Sequence, residues 1–274
     1  MTHVTGSPSE NTNVRTLTSI AAAIIVALCA GCASTPRTAT SETTASYKRI
    51  GVVSVTAQAF SRKHVGLTVF GNELEKIDSS SWDVDAKYEE QISKQLSTLG
   101  GFEVVRAPYS RQEFLHINDL NGPWDAPAFR TPNWGAVEKT IKDYCAKNQV
   151  GAIVATFAVE APDFIGSSNQ YIRGAGLYTR GFGNSTRAVL HLISGVALVD
   201  CQTARPVAIR GLASTQEGFP GQILRASPIK PMPVDLSRAP LGQLTEPQLA
   251  TIKQALILLP EDAWAPTLYA VFGR

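Results

Sequence analysis

Residues 83–106, DVDAKYEEQISKQLSTLGGFEVVR, decide the fold. Val84, Tyr88, Ile92 and Leu96 recur every four residues, and Leu99 follows at three, so one face of a helix is apolar. Asp83 or Asp85 reads as its N-terminal cap rather than as an acid–base partner. Glu89-Glu90 sits on the helix and is expected to face solvent at least in part. Gly100-Gly101 supply the left-handed turn that stops a helix, and FEVVR (102–106) then reads as a strand.

Upstream, YKRIGVVSVTA (47–57) carries Ile50, Val52, Val53 and Val55 and reads as a buried strand. Strands joined through a helix lie parallel. Between this strand and the helix stands HVGLTVFGNELEKID (64–78). Val65, Leu67 and Val69 alternate, and Gly71-Asn72 suits a tight turn, so the reading is an inserted β-hairpin.

Downstream, 109–116 reads as a short helix, and 117–133 as a loop holding Trp124, Phe129 and three prolines. A helix is expected over 134–147, with Trp134, Val137, Ile141 and Tyr144 on one face. GAIVATFAVE (151–160) follows as a strand, then a Gly-, Ser- and aromatic-rich segment, 161–186. RAVLHLISGVALVD (187–200) and RPVAIRGLAS (205–214) read as an antiparallel pair joined by CQTA. Residues 215–243 are Pro-rich and expected to be largely irregular. A C-terminal helix spans 245–259, with a Thr245/Gln248 capping box and Leu249, Ile252, Leu256 and Leu259 on one face. The last residues, 264–274, are apolar enough to pack back on the domain. The fold class is therefore α/β: a mixed, partly parallel sheet flanked by helices, with an inserted hairpin and a C-terminal helix.

The start of the chain sets its compartment. Residues 17–32, LTSIAAAIIVALCAGC, follow Arg15 with an apolar and small-residue run. That run is shorter than the roughly 20 residues a membrane-crossing helix needs. Small residues then gather around Cys32, as at a signal cleavage site. The pattern resembles the lipobox of bacterial lipoproteins, with Ala30 and Gly31 at the small sites and Cys29 where Leu is usual. The resemblance implies that residues 1–32 are a signal peptide and that Cys32 carries lipid. Multiple acyl chains would hold the membrane firmly. Ala33 in the next position implies the outer membrane and a periplasm-facing protein. A plain secretory signal or a membrane-anchored start is the alternative. Residues 33–45, ASTPRTATSETTA, read as a flexible tether, leaving 46–274 as a single domain.

Composition narrows the function classes. The formal charge is +2 and no basic stripe appears, which argues against nucleic acid as a partner. Cys145 and Cys201 are the remaining thiols once Cys29 and Cys32 are set aside. Cys145 ends a helix just before the strand at 151. If that strand pairs antiparallel with 187–199, Cys201 lies at the same end, within bridging reach. A disulfide and two buried free thiols are both open, and an oxidising compartment permits the bridge.

No catalytic set stands out. Ser227-Pro-Ile-Lys230 matches a Ser-x-x-Lys spacing, but Pro231 and Pro233 would end the helix that chemistry needs, and its companion motifs are absent. The glycines of RGAGLYTRGFGNS (173–185) lead into a strand and not a helix, unlike a phosphate loop. His64, His116 and His191 show no metal-ligand spacing, so no cofactor or metal is expected. In 161–186, Phe164, Tyr171, Tyr178 and Phe182 do not alternate as a membrane-crossing strand would, and a mobile binding loop is expected instead.

The domain also resembles a loose group that includes the curli-secretion channel lipoproteins, the penicillin-binding-protein activator lipoproteins and the N-terminal domain of the Tol-system β-propeller protein. The resemblance covers about 47–214 and rests on KRIGVVSV (48–55), helix-Gly-Gly-FEVVR, VGAIVATF (150–157) and ALVDCQTARPV (197–207). Ala204 stands where that group has Gly. The resemblance implies a non-enzymatic adaptor, regulator or assembly subunit of the cell envelope, bound to another envelope protein or to its own copies. The candidate contact surfaces are 117–133 and 161–186. The alternative is a hydrolase or small-ligand-binding protein whose site is assembled from distant residues.

Overall fold

The computed structural model describes residues 39–66, 69–122, 130–163, 170–181, 186–212 and 227–274. The elements are α1 (Ser41–Ser46), β1 (Arg49–Val55), β2 (Ala59–Val65), β3 (Glu73–Asp78), α2 (Val84–Leu99), β4 (Glu103–Val105), α3 (Arg111–Phe114), α4 (Glu138–Asn148) and β5 (Ala152–Ala158). Then come β6 (Glu160–Pro162), β7 (Tyr171–Arg180), β8 (Arg187–Asp200), β9 (Arg205–Gly211), β10 (Ile229–Pro231), α5 (Val234–Arg238), α6 (Glu246–Leu258) and α7 (Glu261–Val271).

The fold is mixed α/β. The sheet runs β3-β2-β7-β8-β5-β1-β4. β1 pairs parallel with β4 and β5, and β2 pairs parallel with β7. The fourteen-residue β8 is its spine: its first half pairs antiparallel with β7 and β10, its second half with β5 and β9.

Both faces of the sheet are covered, which is why β1 and β5 read as continuous apolar runs. One face carries Ile50, Val52 and Val154 against α2, α6 and α7, with Tyr88, Ile92, Leu96 and Trp264 fully buried. The other carries Val53, Val55 and Phe157 against α4, with Trp134, Ile141 and Tyr144. Gly100 and Gly101 end α2 at φ +70° and +87°, the backbone their sequence position required. Ala204, in the β8–β9 turn, also has φ +53°, so its backbone is the one a glycine adopts freely. Gln248 Oε1 accepts from the Thr245 N–H at 2.8 Å, forming one half of the expected capping box.

Four expectations are corrected. The hairpin is present, but not with a two-residue Gly71-Asn72 turn: β2 starts at Ala59, and a 3-10 turn (Val69–Gly71) precedes β3. Sequence missed 59–63 because AFSRK alternates around the charged Arg62, which is buried. Its guanidinium meets Glu73 at 2.9 Å and Glu75 at 2.7 Å and donates to the Arg238 carbonyl at 3.0 Å. Next, 171–180 is a mostly buried central strand, β7, and not part of a mobile loop; 164–169 and 182–185 lie outside the described residues. The tether expected to reach residue 45 is packed from Ala39: its N–H donates to the Val271 carbonyl at 3.4 Å, and α1 follows. Of the Pro-rich 215–243, expected to be largely irregular, 215–226 lie outside the described residues, and the rest carries β10 and α5.

Candidate functional site

Lys76, Ser61, Gly176 and His191 lie in register across β3, β2, β7 and β8. Residues directly opposed on neighbouring strands share a face, so these four form one row. The row has no room for a side chain on β7. A Cβ on Gly176 would stand 2.5 Å from both the Ser61 carbonyl oxygen and Oγ, and 2.9 Å from His191 Nε2. Glycine therefore lets the imidazole lean across β7 towards Ser61. His191 Nδ1 lies 3.0 Å from the Gly174 carbonyl. A carbonyl only accepts, so Nδ1 carries the proton and Nε2 is a lone-pair acceptor. That Nε2 is buried and has no hydrogen-bond partner among the described residues. Burial holds the His191 pKa down at about 4, so the ring is neutral at pH 7.

Above this row opens a cleft of about 470 Å³, within the range of small-molecule sites. One wall is the end of α3 and the 3-10 turn Leu115–Asn118; the other is the start of β7 with Glu160. Asn118 is held at both ends of its amide: Nδ2 donates to the Val55 carbonyl at 2.8 Å, and Oδ1 accepts from the Ala158 N–H at 2.9 Å. Arg173 donates across the cleft to the Asn118 carbonyl, joining the two walls. Lys63 Nζ donates to the Tyr171 carbonyl at 2.7 Å, and its burial lowers its pKa. Burial likewise lowers the pKa of Arg173, which Glu160 partly offsets. The two lining carboxylates are already engaged. Arg130 Nη1 reaches both Glu160 oxygens at 3.1 and 3.3 Å, and Asp119 meets His116 Nδ1 at 2.8 Å.

The two candidate contact segments thus come together. Asn118 and Asp119 from 117–133 face Tyr171 and Arg173 from 161–186 in one cleft. Residues 123–129 lie outside the described part. Sequence reasoning did not mark Lys63, Lys76 or Ser61, whose shared face depends on a strand pairing between 59–65 and 171–180.

A second polar cluster lies where β1 ends. Asp85 is buried and is not a helix cap: it accepts from Ser54 Oγ (2.5 Å), Thr56 N (2.9 Å), Ala57 N (3.1 Å) and Gln58 Nε2 (2.6 Å). Asp83 holds the cap position in a left-handed backbone, with no side-chain cap bond. Glu89 is buried too, against the expectation that it faces solvent. It binds the Tyr109 hydroxyl and Arg111 (2.8 Å), and burial raises its pKa. Glu90 is exposed. These groups bind one another, with Arg111 Nε left over, and form a clamp between α2, β1 and the 109–111 segment rather than an open site.

Cys145 and Cys201 are joined by a disulfide, with Cα atoms 5.9 Å apart. It crosses from the end of α4 to the β8–β9 turn, and β5 pairs antiparallel with β8 beside it. Cys32 lies outside the described residues. Lys230 sits on strand β10 and not on a helix with Ser227, so the Ser-x-x-Lys match has no catalytic geometry. The glycines at 174 and 176 are strand residues. His64 Nδ1 pairs with Thr179 Oγ1 at 2.8 Å inside the sheet. Among the described residues, no three His, Cys, Asp or Glu side chains are placed to hold a metal ion. No helix among them is long and apolar enough to cross a membrane.

No protein-family model matches the chain, and no curated protein sequence does. Among solved structures it is similar to a single-substitution variant of the PelC dodecamer from Paraburkholderia phytofirmans, at 10% identity and a TM-score of 0.28, over 84% of this chain and 95% of that one. The PelC dodecamer from the same organism in a second crystal form gives 10% identity and a TM-score of 0.27, over 84% and 94%. Likeness at that level carries no functional argument.

Proposed function

We propose that this chain is an envelope lipoprotein, held to the outer membrane by lipid on Cys32. Its domain faces the periplasm and acts without catalysis, as an adaptor, regulator or assembly subunit. The signal-like run 17–32 motivates the anchor, and the Cys145–Cys201 bridge fits an oxidising compartment. The seven residues from Cys32 to packed Ala39 span at most about 25 Å, so the domain works close to its anchor.

The observation that carries the adaptor role is the tip of the β2–β3 hairpin. Phe70 is 97% exposed and Leu74 58%, the most exposed large apolar side chains among the described residues. The strands of the hairpin are tied down: buried Arg62 binds β2 to α5, and Glu75 of β3 accepts from the Leu241 N–H at 2.7 Å. An exposed aromatic carried on anchored strands is what a partner's pocket takes.

The test has two arms in growing cells. Labelled palmitate marks the wild-type chain and not Cys32→Ala. A photo-crosslinking side chain at position 70 yields an adduct with another envelope protein or a second copy. An unlabelled wild-type chain, recovered only as monomer from position 70, overturns the proposal.

A further inference from the structure

We infer that the cleft between β7 and the Leu115–Asn118 turn binds a small organic anion, a carboxylate or phosphate on a compact body, seated on Lys63, Lys76 and Arg173. The inference is independent of the lipid anchor.

It begins with cations that no carboxylate in the cleft contacts directly. Lys63, Lys76 and Arg173 line it, and none has a carboxylate within 4 Å among the described residues. The acidic residues that line it, Glu160 and Asp119, are held by Arg130 and His116. Lys63 and Arg173 are also half-buried, and among the described residues their hydrogen bonds run only to neutral backbone carbonyls. Glu160 and Asp163 act on Lys63, and Glu160 and Asp119 on Arg173, only from beyond ion-pair distance, and the cost of withdrawing both cations from water outweighs them. Two such cations on one cavity are tolerated where a bound anion offsets them.

The floor points the same way. His191 is 1% exposed and lines the cavity, and its Nε2, across Gly176 from Ser61 Oγ, has no partner among the described residues. Among the described residues, Ser61 Oγ makes only a long 3.4 Å bond to the Ala175 carbonyl. Turned to donate to Nε2, the hydroxyl would satisfy the ring and present its own lone pairs to a ligand hydroxyl or amine. The cleft therefore offers cations above and an adjustable donor–acceptor below. Leu74, Leu115 and Ile172 supply apolar contact, so the ligand carries a body as well as a charge.

The full-length chain, purified in detergent, is titrated calorimetrically at constant ionic strength with citrate and glucose 6-phosphate as probes. Glucose and benzylamine are the neutral and cationic controls. At least one anion is expected to bind saturably below about 10 mM and the controls not to. Lys76→Met, on an exposed side chain, is expected to weaken binding at least fivefold with an unchanged melting temperature. Lys63→Met is expected to weaken it at least tenfold. The bound anion should also slow acetylation of Lys63, read by mass spectrometry, while leaving Lys139 unaffected. The inference is overturned if neither anion binds, or if the lysine variants bind as the wild type does. Equal protection of Lys139 also overturns it.

Discussion

Replacing Asp85 by Ala should be among the most damaging single changes in this domain. Its carboxylate is buried and takes four donors: the Ser54 hydroxyl, the Thr56 and Ala57 amides and the Gln58 side chain. Truncation leaves the two amides facing a void. An orphaned buried donor costs about 1–3 kcal/mol, and bonds to a charged acceptor lie at the upper end. Allowing for water entry and relaxation, the expected loss is about 4 kcal/mol, nearly a thousandfold in the unfolding equilibrium. Asp85→Asn should lose about 2 kcal/mol, because the amide keeps one acceptor and turns an N–H towards Ala57 or Gln58. Asp83→Asn is the control. It makes no cap bond and Asn tolerates its left-handed backbone, so the change should stay within about 0.5 kcal/mol. Urea unfolding of the three variants with the disulfide intact, at equal slope, measures each difference. A loss below about 1 kcal/mol for Asp85→Ala, or a larger loss at Asp83, would refute the clamp and restore the helix-cap reading.

Other consequences are equally direct. Replacing both Cys145 and Cys201 by Ser opens a loop with a sequence separation of 56. Loop-closure entropy puts the cost at about 4 kcal/mol, read as a lower urea midpoint that added reductant does not change further. His191 has a folded pKa of about 4 against 6.5 for the free side chain. The unfolded chain therefore binds the extra proton first, and stability present above pH 6.5 is lost as pH falls towards 4, by about 3 kcal/mol. His191→Gln should lack that part of the acid slope, and an unchanged slope in stability against pH would contradict the neutral buried ring. Gly176→Ala drives a methyl to 2.5 Å from the Ser61 carbonyl. It should cost about 3 kcal/mol by calorimetric melting, whereas Gly211→Ala, with nothing within 4 Å, should not approach that.

Periodicity alone carried much of the architecture. The four-residue spacing of Val84, Tyr88, Ile92 and Leu96 buries one side of α2, and the runs in 50–55 and 152–157 are buried on both faces. These signals are local, and hydrophobic spacing reports which side of an element leaves water. Strand β2 was illegible for the opposite reason. Its Arg62 and His64 are inside, and whether a charge is tolerated there depends on Glu73, Glu75 and Thr179, supplied by other strands. Asp85 is illegible on the same ground: a helix position tells which residue is near the start, not which backbone amides converge on it, and burial of Glu89 depends on Tyr109 and Arg111 from beyond the next strand.

By itself the sequence determined the α/β class and the end of α2 at Gly100-Gly101. Each rests on residues adjacent in the chain. Only the tertiary structure decided that Lys76, Ser61, Gly176 and His191 share one row and that Lys63 and Arg173 face one cleft. The reason is geometric: a sheet row joins paired residues up to 115 positions apart in sequence, Ser61 and Gly176, and register, which local composition does not specify, chooses its members.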